Sequence, residues 1–316
     1  MIRFLLGRLW QSAILLLLVS LIGFMVLHLA PGGPMSRFAL TPGMTKETLD
    51  RIAEEMGLNR PLIVQYFDWL WSLIQGDWGQ SFRDKRDVLA VIGSHLYATL
   101  LLMGGSTVIS MLLGGWIGVR SAMRQGGSFD YAMTIFCFVA LSIPTFWFGL
   151  VAIFIFSLWL GWLPAGNMIT VGDGSLGDIL IHLILPTIVL ALVNVAIWAR
   201  YMRAATLEVL GQDFIRTAKA KGLSPRRIMN KHILGNALVP MITLTGMQLP
   251  TLLGGALVTE TVFTWPGMGR LFLDSLGYND YPVVMGLLMF SAILVVVCNL
   301  LADVIVALVD PRIRLE

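Results

Sequence analysis

The chain has 316 residues, of which 57% are hydrophobic and only 13% are charged, and its mean hydropathy is +0.80. A soluble globular domain carries about 25% charged residues, so this composition excludes an ordinary soluble protein. The formal net charge of +3 does not require a nucleic-acid partner, because an excess of basic residues in cytoplasmic loops accounts for it.

Six stretches without Asp, Glu, Lys or Arg predict an all-α polytopic membrane protein with six transmembrane helices. Each stretch has at least 20 residues. At about 1.5 Å per residue, a helix of that length crosses a hydrocarbon core of about 30 Å. Strands of a membrane barrel would alternate polar and apolar residues, and these stretches do not. In chain order the stretches are 10–29, 96–119, 131–160, 179–199, 236–259 and 282–302.

This pattern divides the chain into three regions. Residues 1–30 contain the N-terminal tail and the first helix. Residues 31–95 form the one external segment that is large enough to fold. Within it, the sequence predicts a surface helix at 45–56 and an amphipathic aromatic helix at 61–74, which lies on the membrane or on the bundle. Residues 96–316 hold the other five helices as a transmembrane core.

The distribution of basic residues predicts that both chain termini are cytoplasmic. With an internal N-terminus, the internal segments carry 14 Lys and Arg residues, whereas the two short external loops carry one, Arg270. Short loops rich in Lys and Arg stay on the cytoplasmic side of a membrane.

The densest positive cluster lies in the loop 200–235, between the fourth and fifth predicted helices. This loop contains eight Lys or Arg residues and two acidic ones. Residues 212–221 are rich in helix formers, and Gly222 is suited to end that helix in the left-handed conformation. Ser224 and Pro225 are suited to begin the next helix. Such an elbow is a candidate docking surface for a soluble partner; the alternative is a loop that sets topology and contacts lipid headgroups.

Polar residues inside the predicted helices are few. Asn194, Gln248 and Asn299 are candidates for lining a translocation path, and the alternative is hydrogen bonding between helices. An ion-coupled transporter would place carboxylates or lysines at mid-membrane. The sequence has none there, which argues against a self-powered transporter.

Glycine and proline residues indicate where the helices approach each other or bend. Gly114 and Gly118 predict close contacts between helices. Prolines inside the apolar stretches should kink or break their helices. These prolines are Pro144, Pro186, Pro240 and Pro250.

Motifs of enzymes and metal sites are absent from the sequence. It contains no GxxxxGK[ST] phosphate loop, no HExxH and no GxSxG motif, and its four histidines are scattered. We therefore expect that the chain is not an enzyme and binds no metal or cofactor of its own.

The segment after the fifth predicted helix is a candidate external gate. In this hypothesis Glu260 begins a loop that folds toward the outer mouth of the bundle. Pro266 fixes one dihedral angle of a tight turn, and Gly267 takes a positive φ at the next position. The alternative is an interfacial turn anchored by Phe263 and Trp265. The candidate gate residues are Glu260, Trp265, Pro266 and Gly267.

The chain resembles the permease subunits of ABC importers, in the branch that carries dipeptides, oligopeptides and nickel. The stretch GQDFIRTAKAKGLSPRRIMNKHILGNALVP is similar to the ATPase-docking loop of that family. The general pattern has Glu-Ala-Ala six residues before the glycine. Here Arg216-Thr217-Ala218 stand at that place, as is usual in the peptide branch. Six further stretches resemble the family in the same order: MGLNRPLIVQYFDWL, GDWGQSF, SIPTFWFGL, GWLPAG, VTETVFTWPGMGRL and NDYPVVMG, followed by the tail LLADVIVALVDPRIR.

The resemblance implies a type I importer permease, the first of two such subunits, in a bacterial or archaeal plasma (inner) membrane. It implies a second homologous permease, an extracytoplasmic substrate-binding protein, and two ATP-binding subunits that hold ATP and Mg. Expected substrates are di- or oligopeptides, with nickel chelates, opines or glutathione as alternatives; a secondary transporter or channel is the alternative class. The implied docking residues are Arg216, Thr217, Ala218, Lys219, Ala220, Lys221 and Gly222. Thr217, Ala218 and Ala220 would give a small-residue surface that fits a groove of the ATPase. Lys219 and Lys221 can pair with acidic groups there, and Gly222 allows the chain reversal.

Overall fold

The computed structural model of the chain describes residues 2–29, 35, 44–55, 57–254 and 256–309. Within these ranges the chain is mainly helical and forms no strand beyond one isolated bridge between Gln80 and Asp87. The predicted all-α class is therefore confirmed for the part of the chain that the structure describes.

Helices follow one another along the whole of the described chain. They are α1 (Ile2–Leu29), α2 (Lys46–Glu55), α3 (Leu62–Ile74), α4 (Val88–Met123), α5 (Ser128–Ser142), α6 (Thr145–Ala152), α7 (Leu176–Leu210), α8 (Asp213–Ala220), α9 (Pro225–Arg227), α10 (Gly235–Gly254), α11 (Leu257–Val262), α12 (Met268–Gly277) and α13 (Tyr281–Val309). Two π-helical segments, Ile153–Trp159 and Ile228–Leu234, continue α6 and α9.

Helix length and composition agree with a membrane protein of several spans. Over the described residues, four helices are long and apolar enough to cross a membrane: α1, α4, α7 and α13. The third predicted span, α5 followed by α6, is bent by 99°, which confirms the break predicted at Pro144. Pro144 explains the bend, because it disfavours the helical conformation at Ile143, which has φ −87° and ψ 125°. Pro186, by contrast, lies inside α7, which continues as one helix.

Two predicted boundaries differ from the structure. The fifth predicted span, 236–259, is divided between α10 and α11, because Ala256 leaves the helical conformation with φ −98° and ψ 68°. Helix α4 begins at Val88, well before residue 96, so the predicted boundary between external segment and core lies inside a helix. Val88 is fully buried, which explains why the helix extends this far.

The centre of the bundle is the pair α4 and α7, which share the most extensive contact between described helices. A Cβ atom added to Gly114 would lie 2.5 Å from the Cβ atom of Trp198. One added to Gly118 would lie 2.6 Å from the carbonyl oxygen of Ala199. Only glycine permits such an approach, so the close contact predicted at Gly114 and Gly118 is confirmed.

Both helices predicted in the first external segment are present. Helix α2 begins after Thr45, whose hydroxyl accepts a hydrogen bond from the Thr48 amide at 3.3 Å; Met56, the predicted last residue, lies outside the described residues. In α3, Tyr66 is buried against α1, and its hydroxyl lies 2.8 Å from that of Ser20. The opposite face of α3 is apolar and exposed: Ile63, Phe67 and Trp71.

Candidate functional site

Residues 212–227, which we call the basic elbow, fold as two helices joined by a sharp turn. Helix α8 ends at Ala220, and Gly222 has φ +69°, so its predicted left-handed conformation is confirmed. Helix α9 begins at Pro225, as predicted. The Ser224 side chain makes no capping hydrogen bond, so Pro225 starts this helix without the expected hydroxyl cap.

A small apolar core holds the basic elbow in place. Ile215 and Ala218 of α8 are buried together with Ile228 and Ile233 of the following segment. Positions three residues apart share one face of a helix, which is why these two side chains point to the same core. The expectation that Ala218 belongs to a partner-facing surface is wrong, because its side chain packs inside the elbow.

The outer face of the basic elbow is polar and cationic. Arg216 lies 3.3 Å from Asp213, but their side chains are 77% and 94% exposed, so this ion pair adds little stability. The Thr217 hydroxyl donates to the carbonyl oxygen of Asp213 at 3.0 Å. The other predicted docking residues are also exposed: Lys219, Ala220, Lys221 and Gly222. The elbow therefore presents positive charge on a backbone that its own core fixes.

The three candidate path residues lie on three helices, and α10 packs against both α7 and α13. The Asn194 amide of α7 donates to the Leu190 carbonyl oxygen at 3.1 Å, so this bond lies within its own helix and not between helices. Gln248 of α10 is half-buried, and Asn299 of α13 is exposed.

Residues 257–270, which we call the carboxylate elbow, do not form the predicted loop. Glu260 lies within α11 and is fully buried, so the expectation that it begins a loop is wrong. Its carboxylate accepts hydrogen bonds from the Thr99 hydroxyl of α4 at 2.9 Å and from the Gly269 and Arg270 amides at 2.8 and 3.1 Å. These amides are the free donors of the first turn of α12, where a negative charge is favoured.

Glycine is required at position 267 for close packing and not for a positive φ. Its φ is −94° with ψ 178°, which is ordinary extended backbone, so the predicted positive φ is wrong. The positive φ in this turn occurs at Thr264, at 52°. A Cβ atom added to Gly267 would overlap the carboxylate group of Glu260. Glycine is needed here because the buried carboxylate occupies that space.

The aromatic side chains of the carboxylate elbow are buried within the chain. Trp265 is fully buried, and its indole nitrogen donates to the Ala98 carbonyl oxygen at 2.8 Å. Phe263 is buried among residues of α6 and α7. The alternative of an interfacial turn anchored by these two rings is therefore wrong. Pro266, half-buried, connects Trp265 to the N-terminus of α12.

Arg270 is not the counter-ion of Glu260. Its guanidinium donates to the Thr264 carbonyl oxygen at 2.5 Å and lies 3.6 Å from the Asp274 carboxylate. Glu260 is satisfied by one hydroxyl and two backbone amides. The carboxylate elbow and α4 thus form one hydrogen-bonded block around a buried carboxylate.

An ion pair that the sequence analysis did not identify joins α5 to α7. The Arg203 guanidinium donates to both oxygens of the Asp130 carboxylate, at 2.7 and 2.8 Å, and the Gly126 amide donates to one of them at 3.0 Å. In the sequence, Arg203 is one of the eight basic residues of the loop 200–235. Asp130 is the one acidic residue between the second and third predicted spans, and this isolated position could have indicated an ion pair.

Comparison with known proteins identifies the family over nearly the whole chain. Residues 110–315 match the family described as binding-protein-dependent transport system inner membrane component, and residues 1–103 match its N-terminal family. The oligopeptide transport system permease protein AppB of Bacillus subtilis is 43% identical over 99% of this chain and 100% of its own length. The dipeptide transport system permease protein DppB of Escherichia coli K12 is 34% identical over 99% of each chain.

A solved structure supports the same fold. An inward-facing structure of the MetNI methionine ABC transporter matches with a TM-score of 0.57 and 20% identity, covering 70% of this chain and 97% of that chain. At this identity the likeness concerns the fold alone. From the family match and the full-length relatives, this chain belongs to the inner membrane components of binding-protein-dependent transport systems.

Proposed function

We propose that this chain is one of two permease subunits of an importer for di- or oligopeptides that is driven by ATP hydrolysis. The observation that carries this proposal is the likeness to relatives named as oligopeptide and dipeptide permeases, which extends over 99% of this chain. Members of the family are transport components, and ATP hydrolysis belongs to separate subunits. In the proposed arrangement six spans cross an inner membrane, α10 and α11 together form the fifth, and both termini are cytoplasmic.

The basic elbow is the proposed docking surface for the two ATP-binding subunits, which would hold ATP and Mg. Docking would use the exposed cations Arg216, Lys219 and Lys221, while the exposed Thr217 and Ala220 allow close approach. Ala218 would act from inside, by fixing α8 on its core. A helix held in this way transmits closure of the ATPase as a rigid-body movement of the bundle.

The translocation path would run between the two permeases. Asn194, Gln248 and Asn299 are the proposed polar lining of this path. The exposure of Asn299 supports this role, because a path between two subunits requires groups that a single subunit leaves uncovered. The carboxylate elbow would border the outer mouth, where the extracytoplasmic substrate-binding protein delivers the peptide. Its burial against α4 supports movement with that helix as one block, and not as a flexible flap.

Reconstitution of purified subunits tests this function. The chain alone in lipid nanodiscs should hydrolyse no ATP, because its sequence has no phosphate-binding loop. Addition of the second permease, the ATPase subunits and the binding protein should give ATP hydrolysis and uptake of a labelled dipeptide. ATPase subunits with an inactivated Walker A lysine provide the control for contamination. Robust hydrolysis by a homogeneous preparation of the chain alone would overturn the proposal.

A further inference from the structure

Residues 80–87, which we call the charged loop, form a closed turn just before α4. The Ser81 amide donates to the Arg86 carbonyl oxygen at 2.9 Å, and the Lys85 amide donates to the Ser81 carbonyl oxygen at 3.1 Å. Lys85 itself has a positive φ of 54°, and an isolated bridge joins Gln80 to Asp87. The backbone of the loop is thus fixed by its own hydrogen bonds.

A buried carboxylate attaches the charged loop to the bundle. Asp280, just before α13, accepts hydrogen bonds from the Ser81 hydroxyl at 2.5 Å and from the Phe82 and Arg83 amides at 2.9 and 3.2 Å. Both Ser81 and Asp280 are buried. The Ser81 hydroxyl also accepts from the Asp84 amide at 2.9 Å. The loop is therefore held at its base by a residue almost 200 positions away in the sequence.

The charged loop lies above the packed interior of the bundle. Val88, Val91 and Ile92, which follow it in α4, are buried against Met268 and Val283 of α12 and α13. On the other face of α4, Leu89 is 41% exposed. The exposed loop residues 83–87 carry both positive and negative side chains, a mixture that suits the paired charges of a protein surface better than a uniformly anionic bilayer surface.

The tip of the charged loop presents unpaired positive charge. Residues 83–87, Arg-Asp-Lys-Arg-Asp, are all exposed. The Arg83 guanidinium lies 4.1 Å from the centre of the Tyr278 ring and 3.8 Å from the Asp84 carboxylate. Lys85 and Arg86 have no ion pair in the described part of the chain. Folding has thus already fixed the backbone that carries these two cations, which lowers the entropy cost of binding an anionic surface.

We propose that the charged loop is a docking point for an acidic surface of the extracytoplasmic substrate-binding protein, with Lys85 and Arg86 as the contacting cations. This inference rests on the proposed function, which places the loop on the external side. Opposite charges on two partners raise the rate of association and fix the orientation of docking. Asp280 acts as a positioning residue, since it holds the backbone from which the two cations project.

Charge reversal in the assembled complex tests this site. The variant Lys85→Glu/Arg86→Glu changes two exposed side chains, and Lys46→Glu/Arg51→Glu on α2 changes the same charge elsewhere in the external segment. ATP hydrolysis is measured against the concentration of dipeptide-loaded binding protein at low salt. The loop variant should need about tenfold more binding protein for half-maximal stimulation, with an unchanged maximal rate, and high salt should reduce the difference. The α2 variant should match the parent.

The outcomes separate this inference from the proposed function. A parent complex that the binding protein does not stimulate would contradict the proposed function before the loop is considered. With a stimulated parent, an unchanged half-maximal concentration in the loop variant, or an equal change in the α2 variant, would overturn the docking site. An effect that occurs without binding protein and follows the fraction of anionic lipid in the nanodisc would assign the loop to the bilayer, and this too would overturn it. Asp280→Asn keeps both cations but weakens the hydrogen bonds that hold the loop backbone. Like the charge reversal, it should raise the concentration of binding protein needed for half-maximal stimulation.

Discussion

Replacing Gly267 with alanine tests whether the Glu260 carboxylate holds α4, α11 and α12 together. The new Cβ atom would overlap the carboxylate carbon and both of its oxygens. The Glu260 side chain is fully buried. Either the surrounding core shifts, or the carboxylate moves away from Thr99, Gly269 and Arg270.

The cost of this substitution follows from the two possible responses. Overpacking of a filled core costs about 1–3 kcal/mol. If the carboxylate moves instead, each buried donor that loses its acceptor costs about 1–3 kcal/mol. Since the carboxylate has three donors, we expect the free energy of unfolding to fall by about 3 kcal/mol or more.

Thermal unfolding of the purified chain in detergent, followed by tryptophan fluorescence, measures this effect. Gly277→Ala is the matched control, because it lies at the other end of α12 and no atom lies within 4 Å of its added Cβ. Gly267→Ala should lower the unfolding temperature strongly, and Gly277→Ala should not. Glu260→Ala removes the group that the new Cβ would meet, so the two changes at Gly267 and Glu260 should be non-additive. If Gly267→Ala unfolds at the same temperature as the parent, or if the effects of the two changes simply add, the Glu260 carboxylate does not hold α4, α11 and α12 together.

Three further predictions concern the basic elbow, the bundle centre and the outer mouth. Gly222→Val should destabilise the positive φ of this turn by about 1 kcal/mol or more, and it should reduce ATPase association and transport while the amount of protein stays normal. Gly222→Asn should retain association and transport, because asparagine tolerates a positive φ. Equal behaviour of the two variants would contradict this role of Gly222. Gly114→Ala should destabilise the fold, because its Cβ atom would overlap Trp198. Gly115→Ala is the control, because no atom lies within 4 Å of its added Cβ atom. Equal unfolding temperatures for the two variants would show that α4 and α7 do not pack as described. A cysteine at the half-buried Thr264 should be labelled by a membrane-impermeant thiol reagent to different extents in the nucleotide-free and ATP-trapped complexes; equal labelling would leave the carboxylate elbow as a fixed support.

Local chemistry allowed much of the fold to be predicted from the sequence. Uncharged stretches of sufficient length specify membrane helices, because lipid requires the backbone to satisfy its own hydrogen bonds within a segment. The left-handed conformation of Gly222 and the helix start at Pro225 are also local, since each depends on the dihedral freedom of one residue. The pair Gly114 and Gly118 could be predicted to pack closely, because small residues at this spacing leave room for a second helix.

The tertiary structure decided what the buried charges do. In the sequence, Glu260 indicates the start of an external loop, because it directly follows an uncharged stretch long enough to cross a membrane. Its burial is possible because the fold places three hydrogen-bond donors around the carboxylate. Two are free amides at the start of α12, and the third is the hydroxyl of Thr99, 161 residues earlier in the sequence. The same holds for Asp130 with Arg203, which lie 73 residues apart, and for Asp280 with Ser81, which lie 199 apart. The sequence determined which stretches become helices, because that depends on the composition and dihedral preferences of each segment. Only the packed fold determined which carboxylates are structural, because their hydrogen-bond donors come from distant parts of the chain.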